Sequence, residues 1–297
     1  MSTATAPTLQ STVRDLVALV KPNITFLVLI TTGGGLWMAP GELTWGRLIA
    51  TLFGTVAVVG AANTLNCYLE RESDKHMGRT RKRPLPDGRM APRVALYFGL
   101  ALAVASVPTL TFFVNPVTGL LAAIALVSYV WIYTPMKQLS PQALLVGAIP
   151  GAMPPLMGWT AVTGRIEWPG VILFAIMFVW QIPHFIAISM YRRREYEKAG
   201  IVTLPTKRGQ ATARWHMIAW AAALLPVSLA LVPLDVAGWL YAGVASALGL
   251  IFLWYAVDGL RAANQGKWAR KVFLYSLLYV TVLFAALFVD AGPYRLT

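Results

Sequence analysis

The stretch GRLIATLFGTVAVVGAANTLNCYL at residues 46–69, followed by ERESDKHMGRTRKRPLP at 70–86, decides the class of fold. The first part carries one charged side chain, Arg47. It is long enough to cross a bilayer core, which takes about 20 helical residues. Because lipid offers no hydrogen-bond partner to an open strand edge, this span is predicted to be a helix. The charged run after it marks the point where the chain leaves the membrane.

The composition of the whole chain follows the same pattern. Hydrophobic residues make up 57% and charged residues 12% of the 297 residues, whereas an ordinary soluble domain carries roughly 25% charged residues. This excludes a soluble globular enzyme and a disordered tail protein, and the single Cys67 excludes an internal disulfide. Nine apolar segments predict an all-α membrane protein with nine transmembrane helices in a bundle. They are 23–39, 46–69, 94–113, 117–135, 143–162, 169–190, 215–233, 238–256 and 272–290.

Basic residues are distributed unevenly between the two sides of the predicted membrane. With a cytoplasmic N-terminus, 22 of the 25 Lys and Arg residues lie inside and 3 outside. The inside residues are 2 before the first span, 8 in 70–93, 1 at Lys137, 7 in 191–214 and 4 in 258–271. The positive-inside rule therefore predicts an N-in, C-out orientation. The net charge of +13 is explained by this orientation, and no nucleic-acid partner is expected.

The N-terminal segment and the long loops place the chain in its compartment. The first 20 residues lack the apolar stretch of a cleavable signal peptide. We interpret residues 1–15 as a flexible cytoplasmic tail of a single integral-membrane domain over 1–297, in a bacterial plasma (inner) membrane. Since the long loops 70–93 and 191–214 are both cytoplasmic, the function is expected at the cytoplasmic face, where the spans 46–69 and 169–190 run into these loops.

The end of the span at 46–69 carries the most informative side chains. Asn66, Glu70 and Asp74 stand four residues apart, so a helix would project all three from one face. A carboxamide and two carboxylates are ligands that Mg²⁺ accepts, usually together with phosphate oxygens. Arg79 and Arg83 follow, and guanidinium groups match phosphate geometry. The pattern predicts a metal–diphosphate site; the alternative is a helix end with solvated charges.

Two further segments carry polar side chains at the same membrane depth. Trp180, Gln181 and His184 stand beside Pro183, which frees backbone carbonyls and suggests a cavity wall. His184 can ligate iron, donate a hydrogen bond, shuttle a proton, or simply bond to a neighbouring helix. In the turn YTPMKQLSPQ at 133–142, Tyr133 and Lys137 belong either to a catalytic site or to a tight turn with one orienting lysine.

Three motifs typical of other enzyme and pump families are absent from the sequence, which reduces the number of functions to consider. The chain has no GxxxxGK[ST], HExxH or GxSxG pattern, which argues against an ATP-driven pump, a zinc protease and a serine hydrolase. A transporter remains an alternative, but its polar groups should lie near the bilayer midplane. Here most of them lie at the cytoplasmic ends of the spans, which favours an enzyme.

Several segments resemble the UbiA-type intramembrane prenyltransferases. Residues 66–85 are similar to the NxxxDxxxD motif of that family with its downstream RTxxRPL. The segments 19–35, 133–141, 147–164 and 180–201 are similar to the branch that farnesylates protoheme IX. There are two departures. Glu70 stands where the general motif has Asp, and the second Asp-rich motif is absent, with only Glu195 near its place.

The resemblance implies a reaction and its participants. It implies a nine-helix bundle with a cavity open to the cytoplasmic side. In that cavity Mg²⁺ assists the loss of diphosphate from farnesyl diphosphate. The farnesyl group then joins a vinyl group of heme B, and water completes the side chain of heme O. Quinone or chlorophyll prenyl transfer is the alternative within the family. Heme A synthase or terminal-oxidase assembly factors are the expected protein partners. For the metal and the diphosphate, the resemblance implies Asn66, Glu70 and Asp74 as metal ligands with Arg79 and Arg83 as phosphate partners, and it places His184 on the heme side. With the candidates from the residue pattern added, the predicted site residues are Asn66, Glu70, Asp74, Tyr133 and Lys137 for catalysis; Lys75, Arg79, Arg83 and Arg192 for the diphosphate; and Trp180, Gln181 and His184 on the heme side.

Overall fold

A computed structural model describes residues 9–290, which form helices joined by turns and contain no strand. The helices of the first half are α1 (Leu9–Val20), α2 (Pro22–Met38), α3 (Trp45–Leu69), α4 (Pro92–Thr109), α5 (Pro116–Val127), α6 (Thr134–Met136) and α7 (Ala143–Thr163). Those of the second half are α8 (Trp168–Tyr191), α9 (Arg193–Lys198), α10 (Leu204–Lys207), α11 (Gly209–Leu229), α12 (Trp239–Asp258) and α13 (Gln265–Asp290). Two π-helical segments, Leu110–Val114 and Ser128–Tyr133, continue α4 and α5.

Seven segments among residues 9–290 are long and apolar enough to cross a membrane. They are Trp45–Leu69, Pro92–Val114, Pro116–Met136, Ala143–Thr163, Trp168–Tyr191, Trp239–Asp258 and Gln265–Asp290. The bent pair Gln10–Val20 and Pro22–Met38, which meet at 50°, makes at most one more. The remaining predicted span, 215–233, overlaps α11, whose first turns are polar. The all-helical, multi-pass class is confirmed, while nine spans and the N-in, C-out orientation stay predictions.

The N-terminal segment differs from the expected flexible tail. Residues 9–15 belong to α1, and residues 1–8 lie outside the described part of the chain. α1 buries Asp15 and Leu19, and Asp15 forms an ion pair with Arg89 in the loop after α3. Leu19 packs with Cys67 and Leu85 in a small separate core. α1 is therefore attached to the loop that carries the predicted phosphate-binding arginines.

The middle of the bundle depends on close contact between α2 and α7. A Cβ atom placed on Gly35 would lie 2.0 Å from the carbonyl oxygen of Pro155, and one on Gly158 would lie 2.1 Å from that of Thr32. Small residues let membrane helices approach to this distance. α7 contacts α8 as well, so it joins the core of the N-terminal helices to the core of α8 and α11–α13.

Candidate active site

A cavity of about 360 Å³ lies between α2, α3, α5, α7 and α8. Its lining on α3 runs from Val58 to Asn66, and on α8 from Gln181 to Ser189. Eight residues of helix rise about 12 Å, so the cavity reaches well into the bundle. Its charged lining residues are Lys21, Glu70, Asp74, Arg79, Arg83 and Lys137, and its deeper wall includes Val28, Val58, Val59 and Ala125. The lining thus joins a charged end to an apolar interior.

The three predicted oxygen ligands all line this cavity, although the α-helix does not carry them all. α3 ends at Leu69, Glu70 is its C-cap, and Asp74 lies in a short 3₁₀ helix, Ser73–His76. Backbone hydrogen bonds between residues four apart nevertheless continue past the end of α3. The N–H of Glu70 donates to the carbonyl of Asn66 and the N–H of Asp74 to that of Glu70, both at 2.9 Å. This continuation keeps the three side chains at the same cavity despite the end of the helix.

Both carboxylates of this set are ion-paired with cations that also line the cavity. Glu70 Oε1 lies 2.9 Å from Lys137 Nζ, and Asp74 Oδ2 lies 2.7 Å from a terminal guanidinium nitrogen of Arg83. The hydroxyl of Thr80 donates to the backbone carbonyl of Asp74 at 2.8 Å, which ties the arginine-bearing loop to the acid. Both acids are largely buried, so these pairs are only weakly screened by solvent.

Lys137 keeps its charge in this setting. Burial by itself would lower the pKa of Lys137, but the neighbouring Tyr133 and Glu70 outweigh it and raise that pKa overall. The ammonium group also lies 4.5 Å from the centre of the Tyr133 ring, within the range of a cation–π contact. The backbone carbonyl of Lys137 accepts from the N–H of Val202 at 2.8 Å, which joins this turn to the loop after α9. Tyr133 and Lys137 therefore belong to the cavity wall.

Lys21 is a cavity residue that the sequence reasoning missed. It lies at the bend between α1 and α2 in a left-handed conformation with φ of 55°, and its Nζ donates to Asn66 Oδ1 at 3.2 Å. Among residues 9–290 no carboxylate forms an ion pair with it. A lysine directly before Pro22, between two apolar segments, was the signal that could have identified it. The charged lining comprises four cations and two carboxylates, so the cavity favours an anion.

Two predicted diphosphate ligands lie away from the cavity. Arg79 and Arg83 line it, but Lys75 and Arg192 do not. Lys75 is exposed and pairs with Glu72 at 2.7 Å. Arg192 pairs with Glu195 at 2.9 Å. Both cations are therefore bound to acids of their own short segments.

The predicted heme-side residues divide between two faces of α8. Gln181 lines the cavity, and its Nε2 donates to the carbonyls of Met177 and Ala148. Trp180 and His184 contact α13 instead. Trp180 Nε1 donates to the Ser276 carbonyl, and His184 Nδ1 lies 2.7 Å from Ser276 Oγ. Only Gln181 of this group reaches the charged cavity.

The oxygen ligands at this cavity suit a magnesium ion only if a substrate supplies the remaining ligands. Among residues 9–290, no three His, Cys, Asp or Glu side chains form a group that could hold a metal. One amide oxygen and two carboxylates nevertheless line the same cavity. Mg²⁺ is usually held by one or two carboxylates plus substrate phosphates and waters. Asn66, Glu70 and Asp74 therefore suit a metal whose remaining ligands come from a diphosphate.

The chain belongs to the UbiA prenyltransferase family, which it matches over residues 27–278. Within this family its sequence is similar to protoheme IX farnesyltransferases. It is 48% identical over 290 residues to that of Myxococcus xanthus, covering 98% of this chain and 99% of the relative. It is 51% identical over 278 residues to that of an Anaeromyxobacter species, covering 94% of each.

Solved structures share this fold at low sequence identity. A digeranylgeranylglyceryl phosphate synthase superposes with a TM-score of 0.80 at 19% identity, covering 94% of this chain and 98% of that one. A UbiA homologue of Archaeoglobus fulgidus bound to GPP and Mg²⁺ superposes with a TM-score of 0.66 at 16% identity, covering 92% of this chain and 99% of that one. The helical architecture is therefore that of the family.

Proposed function

We propose that this enzyme transfers the farnesyl group of farnesyl diphosphate to a vinyl group of protoheme IX (heme B). Addition of water then gives heme O. The names of relatives that align over nearly the whole chain support this assignment. The observation that carries it is the cavity, which has cations and carboxylates at one end and an apolar wall beyond them. Such a cavity suits a substrate with a diphosphate head and a hydrocarbon tail.

The charged end is proposed to hold the diphosphate and its metal. Asn66, Glu70 and Asp74 would hold Mg²⁺, which supplies positive charge to the departing diphosphate. Arg79 and Arg83 are proposed to donate to the phosphate oxygens. Arg83 is ion-paired with Asp74 at 2.7 Å, so the guanidinium proposed to bind phosphate lies directly beside a proposed metal ligand.

The wall beside the charged end suits the loss of the leaving group. The rings of Tyr129 and Tyr133 lie 5.1 Å apart, and both residues line the cavity. Aromatic faces attract cations, so these rings can stabilise the positive charge that develops on the farnesyl carbon. Lys137, next to Tyr133, contributes a fixed positive charge for the diphosphate. The apolar interior limits access of water to the reacting carbon.

The remaining predicted residues are proposed to act around this centre. Gln181 presents its side chain at the cavity, while Trp180 and His184 contact Ser276 of α13 and do not line the cavity. We propose that all three serve the heme side. Lys75 and Arg192 remain proposed diphosphate ligands, and each would have to leave its present carboxylate partner to act.

The membrane arrangement completes the proposal. We propose a single domain over residues 1–297 with nine spans, N-in and C-out, in the bacterial inner membrane. The cavity then opens to the cytoplasm, where a charged diphosphate is available. Heme O would pass to heme A synthase or to terminal-oxidase assembly factors.

Turnover by the purified protein tests the proposal. With heme B, farnesyl diphosphate and Mg²⁺, we expect a heavier and more hydrophobic heme by chromatography and mass spectrometry. Asp74→Ala should yield no product while heme still binds. Asp258→Ala, which removes an exposed acid at the end of α12, should behave as wild type. Unmodified heme together with prenylation of a quinone precursor would refute the heme assignment and leave a different prenyltransferase.

A further inference from the structure

The side chain of Thr134 connects the π-helical segment to the proposed metal site. Thr134 is buried, with 4% of its surface exposed, and directly follows the segment Ser128–Tyr133. Its hydroxyl donates to the backbone carbonyl of Tyr129 at 2.8 Å. The same oxygen accepts from Asn66 Nδ2 at 3.1 Å. Thr134 is not itself a charged or metal-binding residue, so its part in the site depends on Asn66.

The direction of these hydrogen bonds decides which way the Asn66 amide points. A hydroxyl has one proton to donate, and that of Thr134 is used by the carbonyl of Tyr129. Its oxygen can therefore only accept, which requires the NH₂ group of Asn66 on that side. On the other side Lys21, which has donors but no acceptor, contacts Asn66 Oδ1 at 3.2 Å. If the Asn66 amide were flipped, its NH₂ group would face the ammonium group of Lys21, and two hydrogen-bond donors would meet without an acceptor.

We infer that Thr134 is a positioning residue that turns the Asn66 amide oxygen toward the metal–diphosphate site. This inference rests on the proposed function, since it needs Asn66 to be a metal ligand. Groups that orient metal ligands are worth about 10- to 100-fold in metal affinity. Without the acceptor at residue 134, the contact with Lys21 alone orients the Asn66 amide. The amide then presents its NH₂ group, which cannot ligate a cation, for a larger part of the time.

Binding of farnesyl diphosphate to the detergent-solubilised full chain, measured by calorimetry at increasing Mg²⁺, tests the inference without heme. Thr134→Val keeps the shape of the side chain and removes the acceptor. It should raise the Mg²⁺ concentration for half-maximal binding about tenfold. Thr134→Ser keeps the hydroxyl and should stay within about twofold of wild type. Where Thr134→Val does not purify, Thr134→Ala reports the same contact.

A double-mutant cycle separates positioning from a structural effect. In Asn66→Asp the carboxylate has no NH₂ group to orient, so adding Thr134→Val should shift the Mg²⁺ requirement by less than about twofold. A further tenfold shift there, or an unchanged Mg²⁺ requirement in the single Thr134→Val variant, overturns the inference. Equal weakening of binding with and without Mg²⁺ also overturns it. A wild type whose binding ignores Mg²⁺ refutes the proposed metal site instead, so the two failures are distinguishable.

Discussion

Replacing Lys21 by Met removes a charged cavity residue that, like Arg79, has no ion-pair partner among residues 9–290. Its Nζ contacts only a neutral acceptor, Asn66 Oδ1, at 3.2 Å. The substitution therefore leaves no carboxylate unpaired. A buried charge without a counter-ion is costly to the folded protein. We expect the thermal unfolding temperature of Lys21→Met to equal or exceed that of wild type.

Substrate binding should change in the opposite direction. Lys21 lines the same cavity as Arg79 and Arg83, so an anion there can accept a charge-assisted hydrogen bond from it. A hydrogen bond to a charged group contributes about 1.5–3 kcal/mol. At about 1.4 kcal/mol per factor of ten, its loss weakens farnesyl diphosphate binding by about 10- to 150-fold.

Calorimetry with farnesyl diphosphate and a thermal unfolding scan measure the two effects. Lys267→Met is the matched control, because it removes one exposed lysine at the start of α13. It should bind the diphosphate as wild type does. Unchanged affinity in Lys21→Met would show that Lys21 does not bind the diphosphate. A fall in its unfolding temperature together with the loss of affinity would show that Lys21 stabilises the fold and does not bind the anion directly.

Three further predictions concern packing, heme and pH. Gly35→Ala should lower the unfolding temperature by several degrees, because overpacking costs about 1–3 kcal/mol and the new Cβ would meet the Pro155 carbonyl; Gly33→Ala, with open space around it, should not, and equal scans for both would contradict this. His184→Ala should alter the absorbance of bound heme and slow turnover, and no change in either removes His184 from the heme side. Because the pKa of Lys137 is raised, its stabilisation is complete below the unfolded-state pKa of about 10.4 and is lost only above it. An unfolding temperature that falls between about pH 6 and 9, but not in Lys137→Met, would contradict this.

The spacing of Asn66, Glu70 and Asp74 was enough to bring them to one cavity. The three residues are four apart, and backbone hydrogen bonds between residues four apart continue past Leu69, where α3 ends. The side chains therefore reach the same cavity, as they would on one straight helix. The prediction needed only contacts within one short segment. Such contacts depend on local backbone geometry, which spacing along the chain describes well.

Lys75 and Lys21 show where this reasoning stops. Lys75 is one residue from Asp74, yet it is exposed and bound to Glu72. Lys21 is 45 residues from Asn66, yet it donates to its side chain. Nearness in sequence alone therefore does not decide which cations line the cavity. The position of Lys21 depends on the bend between α1 and α2 and on the packing of both helices against α3.

The sequence by itself determined that the protein lies in a membrane, that it is helical, and that acidic side chains stand at the end of α3. Each of these follows from the apolar length of one segment or from the spacing of residues within it. The tertiary structure alone decided which cations meet those acids and which way the Asn66 amide points. It also decided that Gln181 and His184 lie on different faces of α8 relative to the cavity. These outcomes depend on contacts between helices, such as the close approach of Gly35 to Pro155, and no pattern within one helix encodes them.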